Sequence, residues 1–365
     1  MSVPPRGILR YRAFLEFLAA VFYFFFARSI AHRAALGLVQ DAWVPLFEQF
    51  ALVFLLLVGY AAMGILLDGQ LGPIALQGWP RRPGWRREAG LGTAVGWSLA
   101  LVCVLAMVLD GGIAIVLILQ SYAWAWLLVD LLFFALAAMA EEIAFRGYGF
   151  QRFVEAVGPV GASLGFAVYY AVVQALLPGA NHASIAVSIV FSLALSAAYL
   201  RSRALWVSWG INFGWKASRA LLFGLAVSGL GSFSPVVQGD PMGPFWITGG
   251  GFGLDGSWFA FFVFLAAIPV VFRVTRSLDF RYNAPVILPG GMPVDLDASV
   301  RARHEAFAAP AAASAPPPLV QIAGLSSQPS APGASSGGPG QSTTPPQEPG
   351  TQPAADPGGV PSGPA

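Results

Sequence analysis

Two adjacent carboxylates close an apolar run in Ala140-Glu141-Glu142-Ile143-Ala144-Phe145-Arg146-Gly147, and an arginine follows one helical turn later. In a helix Arg146 lies four residues after Glu142 and five after Glu141, within reach of at least one of them. Ionisable groups set among apolar residues are costly, so they pair with one another or line a polar cavity. Downstream, Phe166-Ala-Val-Tyr-Tyr170 adds a phenol. Trp206-Val-Ser-Trp-Gly-Ile-Asn212-Phe-Gly-Trp215-Lys216 adds an amide and the chain's only lysine, with Arg219 beyond. Asn212, Lys216 and Arg219 recur at i, i+4 and i+7, which puts all three on one helix face. Together these groups form a nearly charge-balanced set suited to acid–base work without a metal. They also fit two plainer readings: an ion pair marking where a helix leaves a membrane, and a polar cluster that glues helices together.

The elements that must position these residues are set by composition. The chain has 365 residues, 56% of them hydrophobic and only 10% charged, with a mean hydropathy of +0.66. A soluble domain carries about 25% charged residues, so this chain cannot wrap a core in a polar surface and must be solvated by lipid. Apolar segments at 13–29, 43–66, 91–109, 121–143, 160–177, 183–200, 204–226 and 257–272 each approach the ~20 residues a spanning helix needs. The expected fold is therefore an all-α membrane protein, a polytopic bundle of about eight transmembrane helices. The run 113–120 is too short to cross separately; it either lengthens the fourth span or lies at the interface. The first run is too long and too rich in Phe and Tyr for a signal peptide, and no A-x-A site follows, so it reads as an uncleaved anchor.

Arginine placement supplies orientation. With the amino terminus inside, sixteen arginines fall in inside segments and only Arg28 and Arg33 outside, the alternation that the positive-inside rule demands. Both termini are then cytoplasmic, in the cell membrane. Counted from the inner boundaries, Glu141, Tyr170, Asn212 and Lys216 lie ~14 to 20 Å deep at 1.5 Å per residue, so they share a depth. Asp130 and Arg219 are candidates to pair across helices, whereas Glu16, Glu48 and Asp110 are expected to snorkel to interfaces. Cys103, the single cysteine, reads as a small buried hydrophobe, and the glycine-rich 248–257 as a tight turn leading into the last span. Three regions follow: 1–90 with the first helices and an Arg-rich cytoplasmic loop, a core at 91–282, and a Pro/Ala/Gly/Ser-rich tail at 283–365 expected to be disordered and cytoplasmic.

The ordered motifs Glu141-Glu142-x-x-x-Arg146-Gly147, Phe166-x-x-x-Tyr170, Gly210-Ile-Asn212-Phe-Gly-Trp215-Lys216 and the glycine-rich 248–257 resemble the CPBP family of intramembrane proteases, the CAAX-processing and bacteriocin-processing (ABI-type) membrane proteins. The resemblance spans residues 90 to 275. It implies a multi-helix bundle that hydrolyses peptide bonds of membrane-associated peptides or proteins, with Glu141, Glu142, Arg146, Tyr170, Asn212 and Lys216 at the catalytic positions. The sequence departs from the family at both histidines, replaced by Tyr170 and Asn212, and Lys216 stands where Asn or Asp is common. His32, His182 and His304, the only histidines, all lie away from the required depth.

The family resemblance allows a divalent metal such as zinc, but two glutamates without histidine make a poor transition-metal site, so no metal cofactor is expected. The metal-free route has Glu141 activating water as general base, with Asn212 or Tyr170 donating to the developing oxyanion. Lys216 would pair with Glu141 or Glu142, which keeps the glutamate ionised and competent, or else freezes it in a structural role. The alternative function is accordingly that of an inactive family relative, a membrane scaffold or bacteriocin-immunity-type binding protein. The expected partners are a membrane-associated peptide or protein and the lipid bilayer. Nucleic acid is not among them, because the arginines cluster at the ends of apolar runs rather than in one patch. A transporter fits less well, since no paired broken helices are evident.

Overall fold

Each of the eight apolar segments falls mainly on one helix. A computed structural model describes residues 6–68, 77–231, 233, 236–283, 286–287 and 293–294. Helix α1 spans Arg6–Leu38 and α2 Val44–Asp68; α3 is Trp85–Asp110, α4 Ser121–Arg146, α5 Tyr148–Ala175 and α6 His182–Ser202. Helix α7, Leu205–Ala217, continues into a π-turn over Ser218–Leu222. A single turn, α8 (Phe245–Thr248), and two 3-10 turns lead into α9, Trp258–Val274, and the short α10, Arg276–Asn283. Among the described residues, five stretches are long and apolar enough to cross a membrane: Gly7–Leu38, Asp41–Leu67, Trp85–Asp110, Ser121–Ala175 and His182–Ser202, the fourth of which holds both α4 and α5.

Local chemistry sets the breaks. Gly158 takes φ 85 inside α5, a left-handed conformation that favours glycine, and Pro159 opens the second half of that helix, where its missing N–H costs nothing. Asn181 caps α6: its side chain accepts from the Ser184 N–H, and the Ser184 hydroxyl accepts in return from the Asn181 N–H, a reciprocal capping box. Ser257 caps α9 by accepting from the Ala260 N–H. The glycine-rich segment forms the turn into α9, as its composition indicates.

Helices α3 and α7 approach backbone to backbone. Gly92 lies on Gly210, Gly96 on the backbone of Ile211 and Trp215, and Gly214 on that of Thr93; a Cβ at Gly210 would lie 2.4 Å from the Ala89 carbonyl oxygen and 2.9 Å from the Gly92 Cα. This small-residue spacing lets two backbones touch without a hydrophobic drive, as membrane helices require. Helix α7 also packs on α4, which lies against α2, while α6 lies between α5 and α9. Thus α7, the helix carrying Asn212 and Lys216, is clamped from several sides.

Three readings change. The run at 113–120 does not lengthen the fourth span: Ile113–Leu117 is strand β1, paired antiparallel with β2, Val237–Pro241, in the register Ile113↔Pro241 to Leu117↔Val237. The reason is that β2 offers a ladder of backbone groups, a long-range partner invisible in a short apolar run. Arg219 bonds Asp255 rather than Asp130, because the glycine-rich turn brings Asp255 against the end of α7. Glu16 does not reach an interface alone; it is buried between Arg12 at 2.7 Å and Arg152 at 3.7 Å. The chain divides at Asp297 into two units, and the described residues all belong to the first. Most of the tail expected to be disordered therefore lies outside the described residues. Within it, β3 (Val286–Ile287) and β4 (Pro293–Val294) form a short antiparallel pair.

Candidate active site

The six residues singled out by type and spacing come from three helices. Helix α4 carries Glu141, Glu142 and Arg146 in its last turns; α5 contributes Tyr170, and α7 contributes Asn212 and Lys216. All six are joined by hydrogen bonds or ion pairs. Arg146 Nη1 donates to Glu142 Oε1 at 3.0 Å, both side chains being fully enclosed. Arg146 Nη2 continues to Ser192 on α6, donating to its Oγ at 3.0 Å. Lys216 Nζ donates to Glu141 Oε1. Asn212 Nδ2 bridges the carboxylates, donating to Glu141 Oε2 at 3.0 Å and Glu142 Oε1 at 3.2 Å. The Tyr170 hydroxyl donates to Glu141 Oε2 at 3.4 Å and accepts from Gln174 Nε2 at 2.9 Å.

The two glutamates are not equivalent. The Glu142 side chain is 0% exposed, whereas that of Glu141 is 25% exposed, so only the latter is open to the outside of the bundle. Donor bookkeeping also separates the roles. Both amide protons of Asn212 and the single phenolic proton of Tyr170 are spent on carboxylates, which leaves neither free to meet an oxyanion as the sequence led us to expect. The Lys216 ammonium, with three protons and one bonded to Glu141, retains two.

A second ionic cluster adjoins the first and was not legible in advance. Asp255, on the 3-10 turn Leu254–Gly256, accepts from Trp215 Nε1 at 2.8 Å on Oδ1. Its Oδ2 accepts from Arg219 Nη2 at 2.9 Å, the Ser228 hydroxyl at 2.9 Å and the Ser228 N–H at 3.2 Å. Burial pushes the Asp255 carboxyl up, but the Arg219 guanidinium and the Trp215 N–H outweigh it and hold the group below its ordinary range. A cavity of about 10 Å³, lined by Tyr170, Gln174, Ser188, Lys216, Ser228 and Asp255 among others, joins the two clusters and has room for roughly one water. Gln174 Oε1 and Asn212 Oδ1 are buried acceptors without a partner among the described residues.

The donor set does not fit a zinc ion. Each glutamate already holds a cation, Lys216 on Glu141 and Arg146 on Glu142, and a metal there would meet positive charge where it needs lone pairs. Among the described residues no three His, Cys, Asp or Glu side chains group as metal ligands. His32 bonds Glu48 at 2.8 Å, His182 opens α6, and His304 lies outside the described residues.

Residues 122–218 match the family model described as Rce1-like, type II CAAX prenyl endopeptidase Rce1-like. The matched segment contains α4 to α7 and all six residues, and it coincides with three of the four motifs that carry the CPBP resemblance. Asp255 lies beyond it. No curated protein and no solved structure matches the chain.

Proposed function

We propose that this chain is a metal-independent intramembrane endopeptidase of the CAAX-protease-like type, cutting membrane-associated peptides or proteins with Glu141 as general base. The observation that carries the reading is the asymmetry of the glutamates: Glu141 is a quarter exposed and bonded by an ammonium, while Glu142 is sealed against Arg146. Glu141 takes a proton from water as the water oxygen attacks the scissile carbonyl carbon. Lys216 donates to the oxyanion that forms, the task oxyanion-hole donors perform elsewhere. Protonated Glu141 then returns its proton to the departing amine nitrogen as the C–N bond breaks, leaving a carboxylic acid and an amine. Asn212 and Tyr170 keep the Glu141 carboxylate oriented, and Asn212 couples it to the Glu142–Arg146 pair. In this reading residues 91–282 are the protease core, the protein sits in the cell membrane with both termini cytoplasmic, and its substrate is a membrane-bound peptide, not nucleic acid.

One observation favours a second reading. Lys216 bonds Glu141 directly, and the cavity beside it is far smaller than a peptide; a pair that never opens would leave a binding protein with a frozen site. Purified protein in lipid vesicles, supplied with prenylated CAAX-ending peptides and unmodified membrane peptides, separates the two. Cleavage by wild type that is lost in Glu141→Gln supports the protease. Absence of product from wild type on every peptide, or full cleavage by Glu141→Gln, refutes it.

A further inference from the structure

We infer that Asp255 is a positioning residue that sets the Lys216 ammonium over Glu141. The inference rests on the reading of Glu141 and Lys216 as the reactive pair. Its ground is that the two α7 side chains held by Asp255, Trp215 and Arg219, flank Lys216 along the helix by one residue and by three. A carboxylate that accepts four hydrogen bonds from two elements is itself fixed, and here it lies on the turn into α9, whose own cap at Ser257 is two residues away. The Trp215 ring completes the clamp by packing edge-on against Phe264 of α9 at 4.6 Å, and the Arg219 guanidinium lies 4.3 Å from the Trp215 ring centre. Rotation and height of the end of α7 are therefore both locked, just where the helix loosens into its π-turn, an irregularity that often marks functional helices.

Charge reinforces geometry. Lys216 and Asp255 line the same small cavity with Tyr170 and Gln174, so the lysine that bonds Glu141 also shares a cavity with a second anion. The facing charged groups are Glu141, Glu142 and Arg146 from α4, Arg219 from α7 and Asp255 from the turn, with the Tyr170 phenol from α5. Removing the Asp255 charge leaves Arg219 enclosed without its carboxylate and beside Lys216, two cations on one helix face with one anion fewer.

The chain's single lysine makes the test specific, because isotope-labelled lysine gives one side-chain NMR signal and that signal belongs to Lys216. Full-length protein in lipid nanodiscs is compared as wild type, Asp255→Asn and Asp255→Glu. Asp255→Asn keeps the shape and an acceptor for Trp215 but drops the charge. It is expected to move the lysine signal and to lower kcat roughly 10- to 100-fold with KM unchanged; Asp255→Glu restores part of both. A lysine signal in folded Asp255→Asn that superimposes on wild type overturns the inference. Where Asp255→Asn does not fold, Trp215→Phe, which keeps a ring against Phe264 and removes the N–H, must move the same signal, and an unmoved signal overturns it equally. If wild type cleaves nothing, the protease reading fails, while the lysine signal still decides the position of the ammonium.

Discussion

Arg146 and Glu142 form an ion pair with both side chains fully enclosed, and such pairs are asymmetric in their energetics. Removing one partner strands the other charge in an apolar interior at a cost of about 3–5 kcal/mol. Arg146→Met is therefore expected to destabilise the bundle by that order, measured as thermal unfolding in lipid, and Arg146→Met with Glu142→Gln to recover a large part. An Arg146→Met variant as stable as wild type would mean that the pair carries no such role. The six site residues were legible because ionisable and amide groups inside apolar runs are few, and each needs a partner. Asp255 was not. It sits in a glycine-rich turn where a polar residue is ordinary, and its partners Arg219 and Trp215 are 36 and 40 residues away. Pairing Arg219 with Asp130 failed for the same reason, since sequence ranks candidates by depth and a returning turn has none assigned.

At the scale of elements, the site depends on how closely α7 approaches α3. A side chain at Gly210 meets backbone, not flexible atoms, with Thr93 N at 2.7 Å from the added Cβ. Gly210→Val should push the helices apart and lower both thermal stability and any cleavage activity. By contrast Gly90, on the same α3, has open space around its added Cβ. Gly90→Ala is expected to hold or raise stability by about 0.5–1 kcal/mol through helix propensity. Equal effects of the two substitutions would refute the close-packing account. The helices themselves were readable from apolar length alone. Strand β1 was hidden because Ile113–Leu117 is apolar throughout, and a short apolar run does not distinguish strand, interface helix or span extension. Only its pairing with Val237–Pro241 decides the matter.

For the whole molecule, the arginine asymmetry fixes an expected orientation that a labelling experiment reads directly. Native Cys103 is fully buried, so single cysteines placed at the exposed positions Arg87 and Arg33 report alone. A membrane-impermeant thiol reagent should reach Arg87→Cys only from the cytoplasmic side and Arg33→Cys only from the opposite side; labelling of both from one side contradicts the arrangement. The chain's scarcity of charge makes each group informative: most arginines sort by side in the expected topology, and three acids with three bases form three ion pairs around α7, Glu141 with Lys216, Glu142 with Arg146 and Asp255 with Arg219. Peptide-bond hydrolysis at Glu141, as proposed, needs no metal. The most direct measurement is mass-spectrometric detection of products from a prenylated CAAX-ending peptide, using wild-type protein in lipid after exhaustive chelation. Cleavage at an undiminished rate is expected from the metal-free protein. Activity that disappears on chelation and returns with added zinc would contradict it.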